Sequence, residues 1–102
     1  MIERRKLERL QLRCPISLWR PADGTFSRTV TENLSSEGFY CLCHEPYRLG
    51  DELEATLEIL TQHPEPRRAD SLALQCRVEV VRTEVHGTKC GLACRIKEYI
   101  AI

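Results

Sequence analysis

No apolar run in this 102-residue sequence approaches the roughly 20 residues a helix needs to cross a bilayer. No apolar stretch follows the charged N-terminal residues either, so the pattern of a secretory signal is missing. These absences lead us to expect a soluble cytoplasmic chain without membrane insertion. An excess of one charge sign is also lacking: 15 basic side chains meet 15 acidic ones. That balance argues against a DNA-coating protein, because wrapping duplex DNA takes many phosphate contacts. Glycine is scarce, with five residues, and none sits in a phosphate-cradling loop of the P-loop kind. Aromatics number six: Trp19, Phe26, Phe39, Tyr40, Tyr47 and Tyr99. So few make a poor set of stacking platforms for single-stranded nucleic acid, although an outward-pointing Trp19 gives that reading some weight. No internal repeat or low-complexity segment is present.

Cysteine, by contrast, is abundant: Cys14, Cys41, Cys43, Cys76, Cys90 and Cys94. Without an export signal a disulfide framework is not expected. Five of the six lie inside alternating runs and Cys43 closes one, so we read them as small buried hydrophobes. Cys41, Cys43, Cys90 and Cys94, with His44 nearby, could in number hold zinc. Their C-x-C and C-x-x-x-C spacings are not those of the usual knuckles, and we expect no metal and no cofactor. His44, His63 and His86 fall in turn-like contexts with no legible nucleophile–base pairing, so we expect no catalysis.

The remaining pattern is of short strands punctuated by turns. Leu10, Leu12, Cys14, Ile16 and Leu18 alternate with polar neighbours up to Trp19. Pro15 has no backbone N–H, so an open edge or a bulge is expected there. Pro21-Ala22-Asp23-Gly24 reads as a turn. Phe26–Glu32 is a second strand with weaker alternation, and Phe39–Cys43 a third. After a turn over Tyr47–Asp51, Glu52–Leu60 alternates strictly; its composition also suits a helix, but the run is short and we take it as a strand. Leu72–Val80 and Cys90–Ile96 complete six, with a polar loop at Thr61–Ser71 and a turn at Val85-His86-Gly87. Six antiparallel strands in one domain of this length favour an all-β fold closed into a barrel, which removes exposed edges. Lys97–Ile102 could start a short C-terminal helix, or let Tyr99, Ile100 and Ile102 cover a barrel mouth.

Two constellations carry chemistry. Among residues 1–20, Arg4, Arg5, Lys6, Arg9, Arg13 and Arg20 face only Glu3 and Glu8, a basic head on a weakly acidic body that suits a local anion site. Arginine pairs bidentately with phosphate or with the O6/N7 edge of guanine, and stacks on purines. The second constellation is Asn33-Leu34-Ser35-Ser36-Glu37-Gly38. Asn33 and Ser35 share one face of an extended backbone, and Gly38 would supply a φ that other residues resist or allow close ligand approach. Alone, the first reads more readily as a solvated chain end and the second as an ordinary turn.

Together they resemble a known family. Arg5-Lys6-Leu7-Glu8-Arg9 ahead of a barrel, followed by Asn33-x-Ser35-x-x-Gly38, is similar to the paired R-x-x-x-R and [D/N]-x-S-x-x-G motifs of PilZ domains. Leu49-Gly50-Asp51 resembles the family's central turn, and Cys90-Gly91-Leu92-Ala93-Cys94 its last strand. The resemblance implies a six-stranded antiparallel PilZ-like split barrel over residues 11–102, preceded by a flexible basic switch segment over residues 1–10. It implies a bacterial signalling module that binds cyclic di-GMP and responds by changing its contact with a downstream protein. Arg5 and Arg9 would grip guanine and phosphate, Asn33 and Ser35 would read a guanine edge, and Gly38 would keep the turn tight. Arg4, directly before the first motif, implies two intercalated ligand molecules. Asn33 stands where many members carry Asp and offers one acceptor oxygen fewer, so weaker affinity is expected. The alternative is a PilZ-like barrel that has lost the nucleotide and serves only protein contact; a homodimer is left open.

Overall fold

The computed structural model describes residues 13–61 and 70–100. Six strands run in chain order: β1 (Pro15–Arg20), β2 (Thr25–Leu34), β3 (Gly38–Cys43), β4 (Glu52–Thr61), β5 (Asp70–His86) and β6 (Lys89–Ile100). All neighbours pair antiparallel in the closed order β1-β2-β3-β6-β5-β4, the barrel expected from the strand pattern. Segments 1–12, 62–69 and 101–102, and with them Arg4, Arg5, Arg9, Leu10, Leu12, His63 and Ile102, lie outside the described residues.

The alternating runs become the core. Ile16 and Leu18 of β1, Leu53, Ala55 and Leu57 of β4, Cys76, Val78 and Val80 of β5, and Leu92 and Cys94 of β6 all point inward. Phe39, Cys41 and Cys43 add the inner face of β3. The turns obey local chemistry. Gly24 takes φ +75° at the end of the β1–β2 hairpin, where Asp23 accepts hydrogen bonds from the Thr25 amide and hydroxyl at 3.0 and 2.8 Å. Pro15 opens β1 opposite Val30 of β2, and pairing with β4 begins only at Ile16–Leu57, so the proline stands where the β1–β4 ladder has ended.

β2 inverts the usual pattern. Its inward residues are Ser27, Thr29 and Thr31, while Phe26 and Val30 face solvent. The polar inner face is satisfied in each case. The Ser27 hydroxyl bonds the Tyr47 hydroxyl at 2.6 Å, Thr29 donates to the Leu42 carbonyl at 2.6 Å, and Thr31 accepts from the Cys14 amide at 2.9 Å. A register shift between Thr31 and Asn33 then returns Leu34 to the core and sends Asn33 outward.

β3 and β4 are not neighbours, so residues 44–51 cross one end of the barrel. Tyr47 is buried there. Arg20 lies over its ring at 5.3 Å and pairs with Asp51 at 2.7 Å and Asp23 at 2.8 Å. The Gly50 amide donates to the Val80 carbonyl at 2.8 Å, and the Val80 amide to the Asp51 carbonyl at 2.9 Å, fixing the crossing to β5.

One expectation is corrected here. No C-terminal helix begins at Lys97: β6 continues as strand through Ile100, because β5 is 17 residues long and presents Gln75, Cys76 and Arg77 as partners for Ile100, Tyr99 and Glu98. Tyr99 reaches instead to the β2–β3 turn, donating to the Ser36 carbonyl at 2.8 Å.

Candidate functional site

The β2–β3 turn is built by its own short side chains. The Ser35 amide donates to the Gly38 carbonyl at 2.9 Å, and the Ser35 hydroxyl accepts from the Glu37 amide at 3.2 Å. The Ile96 amide donates to the Glu37 carbonyl at 2.8 Å, tying the turn to β6, and Tyr99 holds it from the other side. Ser35 thus shapes the turn, whatever else it contacts. Asn33 and Ser35 flank the buried Leu34 and share the outer face, as the spacing requires. The Asn33 side chain has no hydrogen-bond partner among the described residues.

Gly38 has a different reason from the one expected. Its φ is not in the left-handed region. A Cβ there would overlap the Cys94 carbonyl oxygen and lie 3.3 Å from the carbonyl carbon of the same residue. Gly38 is required by the close approach of the β6 backbone and not by an unusual dihedral.

From this turn a broad open groove of about 1010 Å³ runs across the outer face of β3, β6 and β5. Asn33, Ser35 and Gly38 form one end, the small Ala93 lies in the floor, and Arg82, Glu84 and His86 form the other wall. That far end is a polar cluster. The Tyr40 hydroxyl donates to Glu84 at 2.9 Å and lies 3.1 Å from His86 Nε2, which is itself 3.1 Å from Glu84. Gly91 makes the cluster possible, since any side chain there would overlap the Tyr40 hydroxyl. The hydrogen bonds from His86 and Tyr40 hold the Glu84 carboxyl below its ordinary range, while burial and the Glu84 carboxylate push the Tyr40 phenol up. Glu84 is therefore the anion and Tyr40 the neutral donor.

The cations of the groove are already engaged. Arg95 pairs with Glu79 at 2.8 Å and Arg82 with Glu84 at 3.3 Å. Sequence reasoning named Asn33, Ser35 and Gly38, and the fold brings these three together. It missed Tyr40, Arg82, Glu84, His86 and Arg95. The Tyr40–Glu84–His86 meeting has no local signature, because Glu84 is 44 residues from Tyr40 and only the strand register joins them. Arg4, Arg5 and Arg9 lie outside the described residues, so their distance from the groove is not part of its geometry.

Trp19 does face solvent, at 41 % exposure, as expected, and its cross-strand partner Phe26 is 55 % exposed. They sit on β1 and β2, away from the groove, beside a smaller depression of about 200 Å³. Among the described residues no helix is long and apolar enough to cross a membrane, and no three His, Cys, Asp or Glu side chains converge as metal ligands.

No family model matches the sequence, and no curated protein matches it either. Among solved structures the fold is similar to that of the Bacillus subtilis inhibitor of motility MotI/DgrA, with a TM-score of 0.73 at 16 % identity. The match covers 98 % of this chain and 46 % of that one, so this chain spans about half the length of the neighbour. At that identity the likeness is one of fold.

Proposed function

We propose that this barrel is a non-catalytic binding module for cyclic di-GMP, which it takes up in the groove headed by Asn33 and Ser35 and signals to a protein partner. The observation that carries the reading is the Asn33 amide, without a hydrogen-bond partner among the described residues and set by a β2 irregularity at the head of an open groove, in the motif position that the PilZ resemblance assigns to guanine recognition. The Asn33 carbonyl oxygen can accept from a guanine N–H, and the free lone pair of Ser35 can take a second donor. Two phosphates then need counter-charge. Arg82 and Arg95 are held by glutamates, so that task falls to Arg5 and Arg9, with Arg4 available to a second ligand molecule. Fixing the backbone of the basic segment costs about 1–2 kcal/mol per residue, and each bidentate arginine–guanine contact returns about 1–3 kcal/mol of discrimination. Moderate affinity follows. The likeness in fold to a motility inhibitor supports a regulatory role rather than an enzymatic one.

Calorimetric titration with cyclic di-GMP, with GMP as the control, tests the proposal. Asn33→Ala and Arg9→Ala should each weaken binding at least tenfold. Added salt should weaken the wild type, and Arg9→Ala should be less salt-sensitive than Asn33→Ala, because only the arginine pairs with phosphate. If the wild type gives no heat and no saturation, the nucleotide reading is wrong. The barrel would then be the alternative protein-contact module, a reading favoured by the pairing of both groove arginines.

A further inference from the structure

Five of the six cysteines line one connected core, but their geometry sets one pair apart. Cys43, the last residue of β3, lies directly opposite Cys90, the second residue of β6. Cys41 stands opposite Leu92 and Thr31, Cys94 opposite Phe39 and Val80, and Cys76 opposite Ala55 and Tyr99. Directly opposed residues of an antiparallel ladder have Cα atoms about 4.5–5.5 Å apart, inside the roughly 4.4–6.8 Å that a disulfide spans. The diagonal pairs Cys41–Cys90 and Cys41–Cys94 fall at about 7–8 Å, outside it. All six thiols are free.

We infer that Cys43 and Cys90 form a cross-strand dithiol site that closes to a disulfide on exposure to a peroxide. The two thiols differ in access. Cys43 is buried, and burial pushes its thiol up to about 11, so it is a poor first nucleophile. Cys90 is half-buried, at the start of β6 beside the two-residue hairpin Gly87-Thr88, and meets the oxidant first. Its thiolate sulfur attacks a peroxide oxygen, the O–O bond breaks, and the departing hydroxide takes a proton to leave as water, giving the sulfenic acid. The Cys43 sulfur then attacks the Cys90 sulfur; the S–S bond forms, the S–O bond breaks, and hydroxide leaves with the Cys43 proton as a second water. Two thiols lose two electrons in all, and the peroxide gains them. The link falls at the end of the β3–β6 ladder, beyond which β3 has no further residue. Cys90 precedes Gly91, the residue beneath the Tyr40 hydroxyl, so the link clamps the Tyr40–Glu84–His86 end of the groove from below.

The site is independent of any nucleotide and is tested on the free 102-residue chain. The protein is oxidised with hydrogen peroxide, free thiols are alkylated, and peptides are mapped without reduction. The expected product is one linked peptide pair joining Cys43 to Cys90, short of two hydrogens and restored by dithiothreitol. Oxidised wild type should melt about 10 °C or more above the reduced form, since the link closes a long loop in the unfolded chain. Cys90→Ser should abolish both effects and Cys76→Ser neither. A link between any other two cysteines, or Cys90 recovered only as sulfinic or sulfonic acid with no link, would overturn the inference. The wild-type map decides the matter even if a variant fails to fold.

Discussion

Replacing Gly38 with alanine asks whether β3 and β6 approach as closely as the barrel requires. The added Cβ would overlap the Cys94 carbonyl oxygen, with the Cys94 carbonyl carbon at 3.3 Å and the Arg95 Cα at 3.4 Å. All three are backbone atoms, so no rotamer change relieves the overlap. The strands must part by about 1 Å to restore an ordinary carbon–oxygen contact. Overpacking of this kind costs about 1–3 kcal/mol. The separation also strains two hydrogen bonds that hold the turn, Ser35 amide to Gly38 carbonyl at 2.9 Å and Ile96 amide to Glu37 carbonyl at 2.8 Å, each worth about 0.5–1.5 kcal/mol net. With the two bonds strained rather than lost, the total is about 2–4 kcal/mol, or a fall of roughly 8–32 °C in melting temperature for a domain of this size. Urea unfolding followed by the fluorescence of Trp19, the one tryptophan, measures it. Gly50→Ala is the internal comparison: a Cβ there meets nothing within 4 Å, but φ is +88°, and a left-handed alanine costs about 1–2 kcal/mol. The order expected is wild type, then Gly50→Ala, then Gly38→Ala. If Gly38→Ala unfolds within about 0.5 kcal/mol of wild type, the close approach of β6 is not the reason for glycine at that position.

Two further outcomes follow from the buried end of the barrel. The Arg20 guanidinium, with help from Thr25, holds the Asp23 carboxyl well below its ordinary range; for Asp51, burial opposes ionisation, but the Arg48 amide and Arg20 outweigh it and leave that carboxyl low as well. Both therefore add stability above about pH 4, where unfolded carboxylates are ionised, and the contribution is lost as pH falls towards their folded values. Arg20→Met should lower the urea midpoint at pH 7 and flatten its decline in acid, with Glu52 and Glu84, held low by Lys97 and His86, keeping part of the slope; parallel profiles for the two proteins would refute the Arg20 assignment. Tyr47→Phe removes the 2.6 Å partner of the buried Ser27 hydroxyl and should cost about 1–3 kcal/mol in urea unfolding, part of which Ser27→Ala in the same chain should restore. A neutral Tyr47→Phe would show that water replaces the bond.

Legibility in the sequence followed burial. Ile16 and Leu18, or Leu53, Ala55 and Leu57, face the core at every second position, so their strands could be read from periodicity alone. β2 could not be read so cleanly, because Ser27, Thr29 and Thr31 take the inner face and Phe26 and Val30 the outer. Polar inward residues are affordable there only because Tyr47, the Leu42 carbonyl and the Cys14 amide arrive from elsewhere in the chain. The extension of β6 past Lys97 likewise depends on a partner, the long β5, and not on the composition of its last residues. Asn33, Ser35 and Gly38 were legible because a turn and its side chains are contiguous. Tyr40, Glu84 and His86 were not, because a cluster that joins β3 to β5 across the intervening β6 leaves no spacing to find.

The same distinction bears on how the groove would divide its labour on the proposed reading. Its described surface offers recognition without free positive charge: the Asn33 amide is unpartnered, while Arg82 and Arg95 are paired to Glu84 and Glu79. Exposed pairs of this type are worth about 0–1 kcal/mol, so a phosphate could compete for either arginine, but capture of Arg82 would leave the Glu84 carboxylate exposed in the same groove and return part of the gain as repulsion. A dianionic ligand therefore needs cations that bring no anion with them. The sequence concentrates its excess positive charge in its first residues, where Arg4, Arg5, Lys6 and Arg9 outnumber Glu3 and Glu8. On the proposed reading, base recognition and charge neutralisation belong to different parts of the chain, and binding would be the event that joins them.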